Sequence, residues 1–344
     1  MKKKNYIWLA LLVIGTVLVI LRHNNIISWG DSSESTYHNE RGLIFGTIYN
    51  ITYQNGKSLR ADIDKELELF DASLSMFNEN SLISRINRNE DVTVDSLFSK
   101  VFRTAMSVSE TTDGCFDITV APLVNAWGFG FTEEIAPSKA KIDSIMQIVG
   151  WQKVKLTPEG KIEKQDPRIM LDCSAIAKGY AVDVIADLLK RKGVKNYMVD
   201  IGGEVDVAGV NPSGNLWRIG INKPDDDPES RKQDLQDILE ITDKGIATSG
   251  NYRNFYYKDG MKYAHTIDPK TGRPVQHSIL SSTVIANECM VADALSTGFM
   301  VMGLERAKEL VAKFPDIEAY FIYSDEEGNY QTFMTEGMKK YVTE

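Results

Sequence analysis

The sequence predicts an α+β fold in which helices pack on mixed, largely antiparallel sheets. Three observations favour this class. Short segments rich in β-branched and aromatic residues recur along the chain, some pairs are separated by turn signals such as Asp259-Gly260, and segments of helical periodicity lie between them. Of the 344 residues, 43% are hydrophobic and 25% are charged, which is ordinary for a globular protein with a substantial core.

The N-terminus is predicted to be a membrane anchor. Lys2, Lys3 and Lys4 precede an apolar run from Tyr6 to Leu21, which is short for a span, since roughly 17 residues or more are needed. No clean cleavage site and no cysteine for lipidation follow. Residues 1–23 are therefore interpreted as an uncleaved, single-pass signal-anchor of the inner membrane, with the remaining chain on the periplasmic side. A cleaved signal peptide is the alternative.

After the anchor, the sequence predicts a polar tether over residues 24–40 and a folded domain over residues 41–344. The first half of this domain is predicted to contain the following elements: a strand at Leu43–Tyr53, helices at Leu59–Met76, Asp95–Thr111 and Pro137–Ile148, and a hairpin over Val154–Ile162. The second half is predicted to contain strands at Val205–Ala208, Trp217–Ile221, Asp237–Thr242, Gly245–Ser249 and Ser282–Ala286, hairpins over Phe255–Thr266 and Ala319–Met334, and helices at Met290–Met302 and Arg306–Lys313.

A tight strand-to-helix connection lies between these halves. Ile169–Leu171 is predicted to be a strand, Ser174 an N-cap, and Gly193 the left-handed end of the helix. With the strand Tyr197–Ile201 this suggests a βαβ-like unit. Amide groups at a helix start have no partner within the helix and lie at the positive end of its dipole, so such a start binds phosphate. We therefore expect a pyrophosphate near this helix start, where the turn also carries Asp172, Ala175 and Lys178.

Net charge and cysteine content exclude some classes of protein. The net charge of −9 argues against nucleic acid as a partner, because phosphate backbones require a basic surface. The three cysteines, Cys115, Cys173 and Cys289, are widely spaced and show no zinc or disulfide framework. They are interpreted as small buried hydrophobes, with one disulfide in an oxidising compartment as the alternative.

Two further groups of residues are candidates for chemistry. Asp293 and Thr297 lie four residues apart on a predicted helix, so their oxygens face the same way and suit a hard cation such as Mg²⁺. The structural alternative is that Asp293 complements the helix dipole and Thr297 bonds back to a carbonyl. His265 precedes the turn Asp268-Pro-Lys-Thr-Gly272 and is positioned to take a proton from a hydroxyl, although a histidine beside a turn is more often structural.

Taken together, several segments resemble the ApbE family of FAD:protein FMN transferases from about Gly42 to the C-terminus. The matching segments, in order, are SLSMFNENSLISRIN, TDGCFDITVAPLVNAWGFG, DCSAIAKGYAVD, VDIGGEVDVAGVNPSGNLWRIGI, IATSGNYRN, HTIDPKTGRPV and ADALSTG. The resemblance implies an ApbE-like fold that binds FAD as substrate together with Mg²⁺. It also implies transfer of FMN to a Ser or Thr hydroxyl of an acceptor protein, a subunit of a membrane redox complex, with release of AMP.

The resemblance assigns roles to individual residues. It implies that Mg²⁺ is bound by the Ala175 carbonyl, Asp293 and Thr297, and that His265 activates the acceptor hydroxyl, so His265 and Asp293 are the residues assigned to catalysis. The residues implied to contact the flavin nucleotide are Phe45, Phe77, Cys115, Phe116, Asp117, Asp172, Lys178 and Ile267.

The sequence departs from the family pattern in three places. Phe45 stands where members commonly have Met, and Phe77 where many have Tyr, so both keep an apolar wall and residue 77 loses a possible hydrogen bond. The N-terminal cysteine that often carries a lipid anchor in the family is absent here, and the apolar run replaces it. Two alternative functions remain: an FAD pyrophosphatase that gives FMN and AMP, and a non-catalytic FAD-binding carrier.

Overall fold

The structure is a computed structural model, and it describes residues 36–130, 137–224, 234–251, 255–258 and 261–343. By their contacts, Tyr37–Gln54 and the described residues from Ser58 onward group as one compact unit. The predicted anchor over residues 1–23 and the predicted turn Asp259-Gly260 lie outside the described residues. Within the described ranges, no helix combines the length and the apolar character that crossing a membrane requires.

The strands of the described residues are, in chain order, β1 (Thr36–Ile44), β2 (Thr47–Asn55), β3 (Val154–Leu156), β4 (Ile162–Lys164), β5 (Tyr197–Ile201), β6 (Glu204–Ala208), β7 (Trp217–Asn222), β8 (Leu235–Ile241), β9 (Lys244–Gly250), β10 (Phe255–Lys258), β11 (Met261–Ala264), β12 (Ile267–Asp268), β13 (Arg273–Pro274), β14 (Ile279–Ala286), β15 (Glu318–Ser324) and β16 (Tyr330–Met334). Eight of them form a central sheet in the order β1-β2-β5-β6-β9-β14-β15-β16. The other eight form the two-stranded pairs β3-β4, β7-β8, β10-β11 and β12-β13. In the central sheet, each pair of neighbouring strands from β2 through to β16 is antiparallel. This confirms the predicted α+β fold with largely antiparallel sheets.

The helices are α1 (Arg60–Leu74), α2 (Leu82–Asn87), α3 (Ser96–Thr111), α4 (Ala121–Ala126), α5 (Lys139–Ile145), α6 (Ser174–Arg191), α7 (Cys289–Met302) and α8 (Leu304–Val311). Short 3₁₀ turns lie at Met146–Ile148, Trp151–Lys153 and Met338–Lys340. Local chemistry sets several ends. The Asp95 carboxylate accepts the amide of Phe98 at 2.7 Å and starts α3. Gly193, with φ of 82°, ends α6 as predicted, because glycine adopts this left-handed conformation without strain.

Both faces of the central sheet are covered. Helices α1, α3, α6 and α7 bury one face around residues such as Ile51, Ile185 and Phe299. The β7-β8 pair covers the other face through Trp217 and Leu239. Strand β6 is buried along its whole length because it lies at the centre of a sheet with two covered faces. All three cysteines are buried and unpaired, as the sequence predicts.

Two sequence predictions are wrong at the start of the domain. The single strand predicted at Leu43–Tyr53 covers the end of β1, the turn and most of β2, and β1 begins at Thr36, inside the predicted tether. The two-residue turn is Phe45-Gly46, with φ of 52° and 71°. Turns of this kind usually carry Asn-Gly or Asp-Gly, so the aromatic residue in the turn concealed it.

The predicted βαβ-like unit is also wrong. Ile169–Leu171 belongs to no strand, because the side chain of Asn87 takes the place of a strand partner. The Asn87 amide group bonds the carbonyl and the amide of Leu171, each at 2.8 Å. Strand β5 forms an antiparallel hairpin with β6 after α6.

Candidate active site

The start of α6 carries three predicted site residues, Asp172, Ala175 and Lys178. Helix α6 begins at Ser174, so Ser174 is the first helical residue and not the predicted N-cap. The half-buried Asp172 accepts the Ser174 amide at 2.8 Å, and its own amide donates to the carbonyl of Ile118 at 2.7 Å. Asp172 therefore satisfies one amide of the helix start and fixes this start to a second segment of the chain.

Helix α6 is kinked at Ala175. This residue has φ of −91° and ψ of 15°, outside the helical range, and the ψ value turns its carbonyl away from the helix axis. In a regular helix that carbonyl would accept the amide of Gly179. The Gly179 amide donates to Oδ2 of Asp293 on α7, at 3.0 Å. The kink thus presents a backbone carbonyl near the helix start, as a metal ligand would require.

The two helices pack closely where α6 carries Gly179. A Cβ atom at this position would lie 2.5 Å from the carbonyl oxygen of Cys289 and 2.8 Å from Cβ of Asp293, so only glycine fits. One turn further along α6, the buried Asp183 accepts the amides of Cys289 and Met290, at 2.7 and 2.9 Å, and thereby caps the start of α7. The sequence thus fixes α7, and Asp293 with it, against α6.

Lys178 lies between two buried carboxylates. Its ammonium contacts Glu204 Oε1 directly and lies 3.9 Å from Asp293 Oδ1. Burial by itself lowers the pKa of Lys178, but Asp293 and Glu204 outweigh this effect and raise the pKa above its ordinary value. Burial raises the pKa of Glu204, and it raises that of Asp293 as well, where Lys178 opposes the effect. Lys178 remains charged and can neutralise an anion at this position.

Thr297 belongs to a chain of hydroxyl groups. Ser296 donates to the carbonyl of Asp293 at 2.8 Å, and Ser249 Oγ lies 2.8 Å from Ser296 Oγ and 3.0 Å from Thr297 Oγ1. A hydroxyl has one proton. Because Ser296 gives its proton to the carbonyl, Ser249 donates to Ser296 and Thr297 donates to Ser249. This direction leaves the lone pairs of Thr297 Oγ1 available to a cation.

Three candidate ligand oxygens on α6 and α7 have the chemistry that a hard cation requires. They are a backbone carbonyl at Ala175, a carboxylate at Asp293 and a hydroxyl at Thr297, which are the ligand types that Mg²⁺ uses together with water and substrate phosphates. Asp293 is 2% exposed, and the second carboxylate oxygen of Glu204 is buried without a hydrogen-bond partner in the described structure. Among the described residues, no group of three or more His, Cys, Asp or Glu side chains is arranged to hold a metal ion.

The segment Cys115–Asp117 packs against α7, the helix that carries Asp293 and Thr297. A Cβ atom at Gly298, next to Thr297, would lie 3.6 Å from Cβ of Phe116. The Asp117 carboxylate accepts the amide and hydroxyl of Thr119, both at 2.7 Å, and the amide of Trp151 at 2.8 Å. Burial raises the pKa of Asp117, and these bonds oppose the rise. Its described contacts are therefore internal, and they hold the segment in place.

Phe45 and Phe77 meet at the β1-β2 turn. The ring of Phe77, 63% exposed, would lie 3.5 Å from a Cβ at Gly46. The Phe45 ring packs on Phe70 at 5.2 Å between centroids, and Phe70 packs on Tyr180 of α6 at 5.6 Å. The turn that carries Phe45, with the Phe77 ring beside Gly46, is thus joined to the helix that carries Lys178.

His265 and Ile267 lie at the edge of an aromatic stack. The rings of Trp127, Tyr263, Tyr256 and Phe129 follow one another at 5.2 to 5.6 Å, and Phe129 lies 6.5 Å from the His265 ring. Ile267 is buried in the adjoining cluster with Trp127. Thr266 donates to Asn251 at 2.6 Å, just beyond the end of β9, the strand that carries Ser249. This bond joins the His265 segment to the strand of the hydroxyl chain.

The structure adds three residues that the sequence analysis does not assign to the site. Glu204 follows the turn Gly202-Gly203, Ser249 lies in β9 and Ser296 precedes Thr297. The one local signal for Glu204 in the sequence is its place directly after the glycine turn, at the start of an apolar strand where a charged residue is unusual. A cavity of about 690 Å³ between α3 and the β3-β4 pair contains none of the predicted site residues.

The fold and the site together define a class of α+β protein. In this class, a kinked helix start, a lysine and nearby carbonyl, carboxylate and hydroxyl oxygens suit a cation together with a phosphate-bearing ligand. The chain belongs to the ApbE family, whose sequence model matches residues 45–321.

Named relatives share most of the chain. The FAD:protein FMN transferase of Vibrio cholerae is 38% identical over 314 residues, which cover 88% of this chain and 92% of that protein. The FAD:protein FMN transferase of Escherichia coli K12 is 34% identical over 304 residues, covering 86% and 85%. The structure of the flavin transferase ApbE from Vibrio cholerae has a TM-score of 0.79 at 35% identity, covering 89% of this chain and 99% of that one. Pseudomonas stutzeri flavinyl transferase ApbE, in its apo form, has a TM-score of 0.78 at 30% identity, covering 89% and 97%.

Proposed function

We propose that this protein transfers the FMN moiety of FAD to a Ser or Thr hydroxyl of an acceptor protein, with release of AMP. The observation that carries this proposal is the approach of Lys178 to Asp293 at a kinked helix start, with Thr297 one turn further along the helix of Asp293. It occurs in a fold that matches flavin transferases along nearly its whole length. The acceptor is proposed to be a subunit of a membrane redox complex.

Magnesium is proposed as the metal, held by the carbonyl of Ala175, Asp293 and Thr297. When bound, it would neutralise the diphosphate charge that builds up as the bond between the phosphates breaks. Lys178 would supply a further positive charge to the same oxygens. Asp172 and the Cys115–Asp117 segment are proposed to line the nucleotide site, with Ile267 on its apolar side and Phe45 and Phe77 against the flavin.

The transfer itself exchanges one phosphorus–oxygen bond for another. The acceptor hydroxyl oxygen bonds to the FMN phosphorus, and the bond from that phosphorus to the AMP phosphate breaks. AMP leaves with the bonding electron pair. His265 is proposed to take the hydroxyl proton, because an imidazole is suited to accept a proton near neutral pH and the adjacent Thr266 bonds Asn251 just beyond the strand of Ser249.

Mass spectrometry of an acceptor tests the function. The protein, FAD and Mg²⁺ are incubated with a candidate acceptor that carries a Ser or Thr site, and with the same acceptor in which that residue is alanine. We expect the first acceptor alone to gain the mass of FMN less one water as AMP is released. Free FMN plus AMP with no modified acceptor would indicate a pyrophosphatase, and unchanged FAD would indicate a carrier.

Membrane attachment through residues 1–23 is proposed on the sequence pattern alone. The lysines before the apolar run support a cytoplasmic N-terminus and a periplasmic domain. Protease treatment of spheroplasts from cells that express the full chain tests this orientation. Digestion of the domain in intact spheroplasts is expected, and protection of the domain would contradict it.

A further inference from the structure

Glu204 is the first residue of β6 and is 4% exposed. Its Oε1 contacts the Lys178 ammonium, and its Oε2 has no hydrogen-bond partner within the described part of the chain. A buried carboxylate needs compensation for the water that it has lost. Lys178, whose side chain is 30% exposed, supplies that compensation, so Glu204 and Lys178 act as one ion pair.

The Lys178 ammonium is shared unequally between its two carboxylates. It contacts Glu204 directly, but it lies 3.9 Å from Asp293 Oδ1, beyond hydrogen-bond distance. The other oxygen of Asp293, Oδ2, already accepts the Gly179 amide. Oδ1 is therefore the Asp293 oxygen that is open to a cation, and the ammonium is its nearest competitor.

We propose that Glu204 is a positioning residue that holds the Lys178 ammonium away from Asp293 Oδ1 and so keeps this oxygen available to the metal. The inference rests on the metal site of the proposed function. An ammonium and a divalent cation compete for one carboxylate oxygen, and an ammonium without Glu204 would form a direct ion pair with the nearest buried carboxylate. Lys178 held by Glu204 also stays positioned for the phosphates of the substrate.

Binding of Mn²⁺ to the full chain without FAD, followed by electron paramagnetic resonance, tests the proposal. Mn²⁺ accepts the same oxygen ligands as Mg²⁺. The decisive variant is Glu204→Asp, which keeps the negative charge but has one methylene less with which to reach the ammonium. We expect Mn²⁺ to bind roughly ten-fold more weakly to Glu204→Asp, because the ammonium moves onto Asp293.

Removal of the competitor should reverse the effect. We expect Lys178→Met in the Glu204→Asp background to return Mn²⁺ affinity to at least that of the unaltered protein. The variant Lys178→Met with Glu204→Gln removes both charges of the Lys178–Glu204 pair and leaves Asp293 without a competing ammonium, and we expect it to bind Mn²⁺ more tightly than Glu204→Gln alone. Glu240→Asp, on β8 beyond the other face of the sheet, serves as the matched control and is expected to change nothing.

The outcomes separate the inference from the function on which it rests. If Asp293→Asn abolishes Mn²⁺ binding, the metal site stands. In that case, unchanged Mn²⁺ affinity in Glu204→Asp, or no recovery of affinity when Lys178→Met is added, overturns the positioning role of Glu204. Asp293→Asn that binds Mn²⁺ as tightly as the unaltered protein overturns the metal site, and the inference with it.

Discussion

At the scale of single residues, the ability of Thr297 to bind a metal depends on the direction in which the hydroxyl protons of the site point. Thr297 can offer lone pairs to a cation because Ser249 accepts its proton, and Ser249 can accept because its own proton goes to Ser296. The helical spacing of Asp293 and Thr297 predicts that their oxygens share a face. Sequence does not predict Ser249, since it comes from a strand more than forty residues earlier.

Removal of the central hydroxyl should weaken the metal site. In Ser249→Ala, the Thr297 proton loses its acceptor, and the hydroxyl is free to turn its lone pairs away from the site. We expect Mn²⁺ affinity to fall about ten-fold, with a loss of about 1 kcal/mol in the free energy of unfolding. Titration with Mn²⁺ and chemical denaturation measure the two effects.

The neighbouring residue of the same strand provides the control. Thr248 bonds Thr283 of β14 at 2.9 Å and lies on the opposite face of β9. Thr248→Val should reduce stability by a similar amount and leave Mn²⁺ affinity unchanged. Equal affinity in Ser249→Ala and Thr248→Val would refute the proposed direction of the hydroxyl chain.

At the scale of elements, the distance between α6 and α7 sets the geometry of the site. Gly179 allows the approach, and the Gly179 amide bonds Asp293 directly. The sequence predicted both helices from their periodicity. It did not predict that they touch at this glycine, because 114 residues separate Gly179 from Asp293.

A methyl group at Gly179 should force the helices apart. We expect Gly179→Ala to cost about 1–3 kcal/mol of unfolding free energy, although alanine favours a helix, because overpacking outweighs propensity. Metal affinity should fall as well, since Asp293 moves with α7. Asp187→Ala, at an exposed position of α6, is the control and should be neutral or slightly stabilising. A Gly179→Ala variant as stable as the unaltered protein would show that the two helices are not closely packed.

The β1-β2 turn makes a second prediction at this scale. Phe45 has a positive φ, which asparagine tolerates better than alanine. Phe45→Asn and Phe45→Ala both lose the ring that packs on Phe70, so both should bind FAD more weakly. Phe45→Asn should be about 1 kcal/mol more stable than Phe45→Ala. Denaturation and FAD titration compare the pair, and a more stable Phe45→Ala would contradict the assigned turn.

At the scale of the whole molecule, the fold class and the helices covering the sheet were predictable from local patterns. Three kinds of feature were not. Asn87 replaces a strand partner at Leu171, an aromatic residue occupies the first hairpin turn, and the spatial order of the strands brings β9 beside β6. Each depends on a contact between distant segments, and periodicity contains no information about such contacts. The family resemblance, which rests on matched segments in order, supplied the site residues that single motifs left ambiguous.

The free energy of unfolding should depend on pH because the Asp206 carboxyl group is buried in the middle of the central sheet. Asp206 of β6 is buried, and its Oδ1 accepts the Tyr197 hydroxyl at 2.8 Å. Burial raises the pKa of Asp206 to about 6, although the Tyr197 bond opposes the rise. A carboxyl whose pKa is higher in the folded state binds protons more tightly there. Its contribution to stability is therefore lost as the pH rises from about 4 to about 6.

The variant Asp206→Asn keeps an acceptor for Tyr197 and cannot ionise. Relative to the unaltered protein, its free energy of unfolding should increase by up to about 3 kcal/mol between pH 4 and pH 7, because the cost of the buried charge disappears. Asp166→Asn is the control, since hydrogen bonds from Arg168 lower the pKa of the half-buried Asp166 to about 2, so its carboxylate in the folded protein stays ionised over this interval. Urea denaturation at each pH gives the two differences. Parallel curves for Asp206→Asn and the unaltered protein would mean that Asp206 ionises at the same pH whether the chain is folded or unfolded.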